Sequence, residues 1–539
     1  MRLKAHLTRL PRILLLPCSA VPMALCLLYP QIGPLQWLAL MPALLYFFGQ
    51  SEGDLRPRRA YALGLLYFGS FYLVIWHWFI DLYPMEFAGL SKGEAVGLIA
   101  ICWFGLSLLQ TLFSALIFPA FTALSRTRWV KRWPVLGPFL FAALYTVSEW
   151  SQTLTWAGVP WARLALGQSA CGALFSSAAL FGSYFITFAL VAVNALAAYA
   201  VLHLDRVKFC AIACAAVFLT NLCAGLIGYF TAPTGGENGV VVAAVQGNVG
   251  SSDKWTTSSN LRSYEVYEAY TAEAKAAGAE LVVFPETFMP YRITADSALG
   301  KYVTGLAKTY DITIRCGAFY YDSEAEKLYN GLFTVYPDGS IAETVYAKRR
   351  LVPFGEFVPM RPVVEFLVPP LADMSMISED LDPGTDSAVV ETEIGTVGSL
   401  ICFDSIYEDL TLDAVRDGAE VICLSTNDSW FLDSVGVYMH HRQAQLRAVE
   451  SGRYIIRSAD TGISSVIAPS GSANAVLPPL VEGVSISTVY PTTHRTLYSY
   501  IGNSVVYLMI VAVLALTADG LVCCLRKKRS ARRDGANSD

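Results

Sequence analysis

Charge is what this sequence has least of. Asp, Glu, Lys and Arg make up 15% of its 539 residues, where soluble globular proteins carry about 25%. With an apolar share of 54% and a mean hydropathy of +0.45, that deficit excludes a disordered chain and argues against a purely soluble one. A basic excess is missing too. The net charge of −5 and the pI of 5.8 leave no footprint for a nucleic-acid partner. A disulfide framework is lacking. Nine of the twelve cysteines fall in or beside long apolar runs, where thiols act as small apolar groups. Cys316, Cys402 and Cys423 lie elsewhere, without a CxxC pair, and their odd number leaves at least one thiol free. No His/Cys cluster has zinc spacing, and no Walker loop or dinucleotide fingerprint occurs. The expectation is no metal and no cofactor.

What charge there is lies unevenly. It makes up about 9% of residues 10–230 and about 19% of 231–499, the first membrane-like and the second globular. Apolar runs of about 18 residues or more predict membrane-spanning helices. Seven precede Thr231, near 13–29, 32–49, 61–80, 95–124, 134–150, 170–202 and 209–230, and an eighth covers about 500–525. Pro138 and Glu149 dilute the fifth. The first has the basic start of a signal peptide, and Leu15-Leu16-Pro17-Cys18 is like a lipoprotein cleavage site. Pro17 stands where a small residue is wanted and further spans follow at once, so an uncleaved span is expected.

Lys and Arg in short loops favour the cytoplasm. They cluster before the first span (Arg2, Lys4, Arg9, Arg12), after the second (Arg56, Arg58, Arg59) and after the fourth (Arg126, Arg128, Lys131, Arg132). Arg206 and Lys208 follow the sixth, and a basic tail from Arg526 to Arg533 follows the eighth. The alternate loops hold little more than Lys92 and Arg163. Both termini are expected inside and the polar region outside. The expected domains are a membrane domain over 1–230, an exterior domain over 231–498, an eighth helix over 499–525 and a cytoplasmic tail over 526–539.

The exterior region alternates β-rich and helical runs. Strands are predicted at 240–245, 281–284, 312–319, 331–336, 395–401, 421–425, 454–458, 464–468 and 484–489. Helices are predicted near 261–277, 299–310, 407–417 and 437–451. This alternation predicts an α/β fold with helices covering a sheet. The stretch 351–377 is apolar, proline-rich and without a period, and holds Phe354, Phe357, Met360, Phe366 and Met374. It reads either as an excursion packed on the core or as an apolar lid that touches lipid.

Reactive groups of open α/β folds gather at the carboxyl ends of strands. Glu286 follows Leu-Val-Val-Phe-Pro, Lys348 follows Thr344 to Ala347, and Cys402 follows Val397 to Ile401. Singly, each also reads as a turn, cap or packing residue. Together they supply a base for a thiol, a cation for an oxyanion and a nucleophile, the set that acyl transfer needs.

Several segments in order carry a family resemblance. They are Val245-Gln246-Gly247-Asn248-Val249 with Trp255, Phe284-Pro285-Glu286-Thr287, Lys348 to Pro359 containing Pro-Phe-Gly-Glu, Ile401-Cys402, Ser425 to Phe431 containing Asn-Asp-Ser-Trp-Phe, Arg447 to Arg453, and Thr461-Gly462-Ile463-Ser464. The exterior region resembles a carbon–nitrogen hydrolase (nitrilase) domain. Its place between seven spans and one resembles the bacterial apolipoprotein N-acyltransferase family. The resemblance implies a polytopic α-helical membrane protein with an extracytoplasmic nitrilase-like α-β-β-α sandwich, in the bacterial inner membrane. It implies Glu286 as general base, Lys348 as oxyanion-stabilising cation, Cys402 as acylated nucleophile and Glu356 as a second carboxylate. Trp255 would lie at the mouth of the site. The expected partners are a phospholipid acyl donor, a diacylglyceryl-apolipoprotein acceptor and membrane lipids. The chain departs from the family where an aromatic and Glu usually follow the cysteine: here they are Phe403 and Asp404, which leaves both as supporting residues of unassigned role. Asp460 stands where Asn is expected.

Two other readings use the same residues. A membrane-tethered amidase would pass the acyl group to water, and a variant of it would use His440 or His441 as the base for Cys402. A transporter or receptor would use ionisable groups within the spans, for which His77, Asp81, Glu149 and Arg163 are the candidates.

Overall fold

Side-chain alternation along the strands sets the layers of the exterior region. Val242 and Ala244 of β1 (Val240–Gln246) face one core, and Ala243 and Val245 face another. The computed structural model describes residues 12–85, 90–250, 253–254, 256–367 and 380–536. Trp255 and residues 368–379 of the apolar stretch lie outside the described residues. The chain divides into two units, one of Met1–His77, Ile101–Leu226 and Asn503–Asp539, the other of Trp78–Ala100 and Ile227–Gly502.

The first unit is helical. Among the described residues, six helices are long and apolar enough to cross a membrane: Pro30–Ser51, Pro57–Leu82, Lys92–Leu124, Ser183–Leu202, Leu204–Phe230 and Ser504–Cys523. Some of these run on into the second unit. Arg12–Leu28 and Gly172–Phe181 are shorter apolar helices. The run expected as one span over 170–202 is broken at Gly182, and the run over 134–150 forms the helix Leu136–Ser151. Two buried charged groups inside this unit are bonded, as a low-dielectric surrounding favours. Buried Glu149 accepts from Leu164 N at 3.0 Å and Thr187 Oγ1 at 2.7 Å. Arg163 donates to Ser183 Oγ and stacks 4.8 Å from the Tyr184 ring. Both residues therefore tie helices together.

The second unit holds two six-stranded sheets. One runs β12-β1-β2-β3-β4-β5 and the other β11-β10-β9-β8-β7-β6. The strands are β2 Leu281–Val283, β3 Thr313–Asp322, β4 Lys327–Val335, β5 Tyr346–Ala347, β6 Val390–Thr392, β7 Gly395–Ile401, β8 Val421–Thr426, β9 Tyr454–Ala459, β10 Ser464–Ile467, β11 Ala473–Leu477 and β12 Gly483–Val489. Parallel pairing joins β1 to β2, β2 to β3, β7 to β8 and β8 to β9. Val242, Ala244, Leu281 and Val283 of one sheet meet Val397, Ile401, Val421 and Ile456 of the other in a shared core. On the outer face of the first sheet, Val245, Val282 and Ile314 pack with Tyr267 of α1 (Thr257–Ala276) and Leu299 and Val303 of α2 (Ala298–Tyr310). After α3 (Arg361–Leu367), helices α4 (Glu408–Arg416) and α5 (Val435–Ser451) cover the second sheet, over β7 and over β9 and β10. The result is an α-β-β-α sandwich.

Thr256 and Ser297, whose hydroxyls accept from Ser259 N and Gly300 N, cap α1 and α2. The predicted helices and the core strands are found within a few residues. β5, β6 and β11 were not expected. Each is short or lies at a sheet edge, and β11 exposes most of its side chains, so none carries a hydrophobic period. β4 begins four residues before its predicted start at 331.

Trp78–Ala100 joins the sandwich unit although its two ends belong to the apolar runs over 61–80 and 95–124. Trp78 is buried, with its ring 5.1 Å from that of Phe431 in an edge-to-face arrangement. Gly436 at the start of α5 permits this contact, since a Cβ there would come within 2.8 Å of the indole.

Candidate active site

Two sheets bring three chain segments to one buried cluster. Glu286 stands three residues beyond β2. Its turn is pressed against β3 at Gly317, where a Cβ would lie 2.7 Å from Glu286 Cα, so only glycine fits. Lys348 directly follows β5, and its main-chain N–H donates to Asn330 O of β4 at 2.8 Å. Glu356 sits in the turn that opens the apolar stretch.

The Lys348 ammonium is fully enclosed. Its Nζ lies 2.9 Å from Glu286 Oε1 and 2.9 Å from Glu356 Oε1. Asn330 Nδ2 donates to the same two oxygens, at 2.7 and 3.1 Å. The outer oxygens are held by main chain: Asn427 N donates to Glu286 Oε2 and Val352 N to Glu356 Oε2, each at 2.8 Å. Burial opposes the charge on Lys348, but Glu286 and Glu356, followed by Cys402, outweigh it and raise its pKa well above the ordinary range.

Cys402 follows β7 and opens a 3₁₀ turn, Cys402–Ile406. Its φ of +49° is left-handed, a strained backbone for a side-chain-bearing residue. Burial, and next the charge of Glu286, push its thiol pKa well up; Lys348 and a hydrogen bond with the Thr426 side chain pull the other way. The resting sulfur is therefore a neutral thiol within the electrostatic reach of both Glu286 and Lys348.

Asp404 and Phe403 have structural partners. Asp404 Oδ2 accepts from Tyr346 Oη at 2.8 Å and Ile401 N at 3.1 Å, and Oδ1 accepts from Arg350 N at 2.8 Å. It thus ties the segment around Lys348 to the strand end under Cys402. Burial, only partly offset by Lys348 and these donors, raises its pKa to about 6. Phe403 packs edge-to-face on Tyr407 at 5.6 Å, and the Arg350 guanidinium lies 4.9 Å from the other ring.

A second buried network lies beneath the cysteine. His440 Nδ1 is 2.8 Å from Asp428 Oδ1, and its Nε2 is 3.1 Å from Ser405 Oγ and 3.2 Å from the Cys402 carbonyl oxygen. Arg457 donates to Asp428 Oδ2 at 2.8 Å. Burial raises the Asp428 pKa, but Arg457 and His440 outweigh that and hold it well below the ordinary carboxylate range. Both His440 nitrogens therefore face groups other than the thiol, unlike the base of a cysteine protease. His441 turns to Ser465 Oγ at 2.9 Å, and burial, then Arg457 and Arg442, lower its pKa to about 3. The fold does bring ligand atoms of Cys402, Asp428 and His440 within 4.8 Å of one another. The carboxylate and imidazole there are bonded to each other, and the Arg457 cation beside them opposes a second cation, so this donor set fits a metal poorly.

The structure thus gathers Glu286, Lys348, Glu356 and Cys402, places Asp404 and Phe403 behind them, and does not describe Trp255. Sequence reasoning missed Asn330; it held Thr426 and Asp428 only as members of a matching segment and His440 only as an alternative base, and did not pair Asp428 with His440.

Two family models match the chain: carbon-nitrogen hydrolase over residues 241–504, and the apolipoprotein N-acyltransferase N-terminal domain over 19–196. The chain is 28% identical over 508 residues to the apolipoprotein N-acyltransferase of Geobacter metallireducens, covering 93% of each. It is 28% identical over 542 residues to that of Methylococcus capsulatus, covering 98% of this chain and 97% of the other. Among solved structures, Saccharomyces cerevisiae Nit3, a member of branch 10 of the nitrilase superfamily, aligns at 21% identity and a TM-score of 0.37, over 49% of this chain and 93% of that one.

Proposed function

The chain belongs to the apolipoprotein N-acyltransferase family, and we propose that it moves a fatty acyl chain from a membrane phospholipid, through a thioester on Cys402, to the N-terminal α-amine of an S-diacylglyceryl cysteine. The observation that carries this reading is the Lys348 ammonium held at 2.9 Å by both Glu286 and Glu356, within electrostatic reach of Cys402 on its strained backbone.

In the first half-reaction Glu286 takes the Cys402 proton as the sulfur adds to the ester carbonyl. Lys348 donates to the oxyanion that forms, in a buried setting where such a bond is strongest. Collapse breaks the ester C–O bond. Glu286 returns the proton to the departing glycerol oxygen, leaving the thioester and a lysophospholipid. In the second half-reaction the neutral α-amine adds to the thioester carbonyl and gives a proton to Glu286. The C–S bond breaks, and the thiolate recovers that proton. Glu356 and Asn330 keep Lys348 and Glu286 in place through both halves.

Both substrates carry lipid tails. Each buried CH₂ contributes about 0.8 kcal/mol to membrane binding, so they reach the site from the bilayer rather than from water. We propose a membrane domain over 1–230, a catalytic domain over 231–498 outside the cytoplasmic membrane, an eighth span over 499–525 and an inward tail over 526–539. The loop charges support this orientation. The described part of the apolar stretch, 351–367, shields the thioester from water. Met360, Val363 and Phe366 of this part are exposed, Phe366 at 84%, which suits contact with lipid.

The test is transfer to an acceptor. Purified protein in mixed micelles with phosphatidylethanolamine and a diacylglyceryl-cysteinyl peptide should convert the peptide to an N-acyl product, seen by mass. Release of free fatty acid without N-acyl peptide would show water as the acceptor and overturn the reading.

A further inference from the structure

Lys254 and Asp460 are a buried ion pair outside the Glu–Lys–Cys cluster. Their side chains are 6% and 0% exposed, with Lys254 Nζ 2.8 Å from Asp460 Oδ2. Burying an ammonium costs several kcal/mol unless it is paired and hydrogen-bonded. A stabilising role alone would be met as well by two apolar residues, so the other contacts of the pair decide what it does. The same Nζ lies 3.3 Å from the main-chain carbonyl oxygen of Glu286. The residue after Glu286, Thr287, has φ +41°, so the turn that presents this carboxylate is strained and needs holding from outside. Gly317 supports it from one side, and Lys254 grips it from another.

Asp460 carries the link into the second sheet. It directly follows β9, and its main-chain N–H donates to Thr426 O, at the end of β8, at 3.2 Å. The residue before Thr426, Ser425, pairs with Ile401, the residue before Cys402. Asp460 also receives Val249 N on Oδ1 at 3.2 Å and Asn248 N on its carbonyl at 2.7 Å, which fixes the turn after β1. A continuous path therefore runs from the Glu286 main chain through Lys254 and Asp460 to the end of β8, which pairs with the strand end that carries Cys402, crossing from one sheet to the other.

We propose that the Lys254–Asp460 pair is a positioning strut for acyl transfer, setting the Glu286 carboxylate at its working distance from Cys402. The proposal rests on the reaction assigned above. It also gives a reason for Asp at 460: an anion there matches the buried ammonium.

The test uses full-length protein in detergent with Lys254→Met, Asp460→Asn and the double variant. Three quantities are read: the unfolding midpoint, the single-turnover rate of acyl-enzyme formation from phosphatidylethanolamine, and the acylation burst with p-nitrophenyl butyrate. Lys254→Met leaves Asp460 buried without its counter-charge and should lower the midpoint. The double variant holds no orphaned charge, so its midpoint should return close to that of the parent. Its acylation rate should still fall by about tenfold or more with both donors, at an unchanged half-saturating lipid concentration, because a misplaced base costs rate rather than binding. Asp460→Asn keeps an oxygen for Lys254 and should fall between. A double variant whose rates stay within about twofold of the parent, or whose loss lies only in the half-saturating concentration, would overturn the strut. The p-nitrophenyl ester separates the two ideas. If no protein acylates from phospholipid, the phospholipid donor fails, while the burst comparison still decides the strut.

Discussion

Lys348 Nζ and Glu286 Oε1 lie 2.9 Å apart with both side chains buried, and the same ammonium lies 2.9 Å from Glu356. One cation thus holds two carboxylates together in a buried space. Lys348→Met should leave those carboxylates facing each other unscreened and destabilise the sandwich unit by about 3–5 kcal/mol, the usual result of orphaning a buried charge. Acyl-enzyme formation should fall by a factor of about 10³, the upper range for loss of an oxyanion donor. Thermal unfolding and single-turnover acylation measured on one preparation check both.

Asp404 titrates in the folded state at about 6, against an ordinary 3.8. The native protein therefore binds this proton more tightly than the unfolded chain. The associated stability is fully present below about pH 4 and is lost as pH rises through about 6. Asp404→Asn should remove that component, so the unfolding midpoint of the variant should depend less on pH between about 4 and about 6 than that of the parent. Unfolding followed across that window checks the sign.

Cys402 has a thiol pushed up by burial and by Glu286, and drawn down by Lys348. Its alkylation by iodoacetamide without substrate should still be rising at about pH 9, where an ordinary thiol has largely ionised. Lys348→Met should move the profile further up, because the lowering cation is gone. Mass spectrometry of Cys402 against pH gives the profile.

Trp78 packs on Phe431 at 5.1 Å, and the Phe431 ring lies 5.8 Å from His440, whose Nε2 is 3.2 Å from the Cys402 carbonyl. Gly436→Ala should drive a methyl into the Trp78 indole and cost about 1–3 kcal/mol, as overpacking does. Adding Trp78→Phe should recover part of that loss by making room. Unfolding midpoints of the single and double variants test the coupling.

The positions of the core strands and of the four covering helices were legible because each carries its own period or a cap. The positions of Glu286, Lys348 and Cys402 were legible because each closes a β-rich run. Asn330 was not. With Gly331 it forms an Asn-Gly pair, which reads as a hairpin turn, yet β4 runs through it from Lys327 to Val335. Its amide matters only because β5 pairs beside it and brings Lys348 near. Trp78 was hidden for a similar reason: it sits at the end of an apolar run over 61–80, while its partners Phe431 and Gly436 lie more than 350 residues away in sequence. Asp460 stood out in the sequence only as a departure from an expected Asn and Lys254 not at all, and the fold buries them against each other.

The most direct measurement is the intact mass of detergent-purified protein after incubation with phosphatidylethanolamine, with Cys402→Ala beside it. The account predicts a gain of one acyl chain that hydroxylamine removes and the variant lacks. Folded protein that gains no chain across several phospholipids, or a Cys402→Ala variant that gains the same chain, would contradict it.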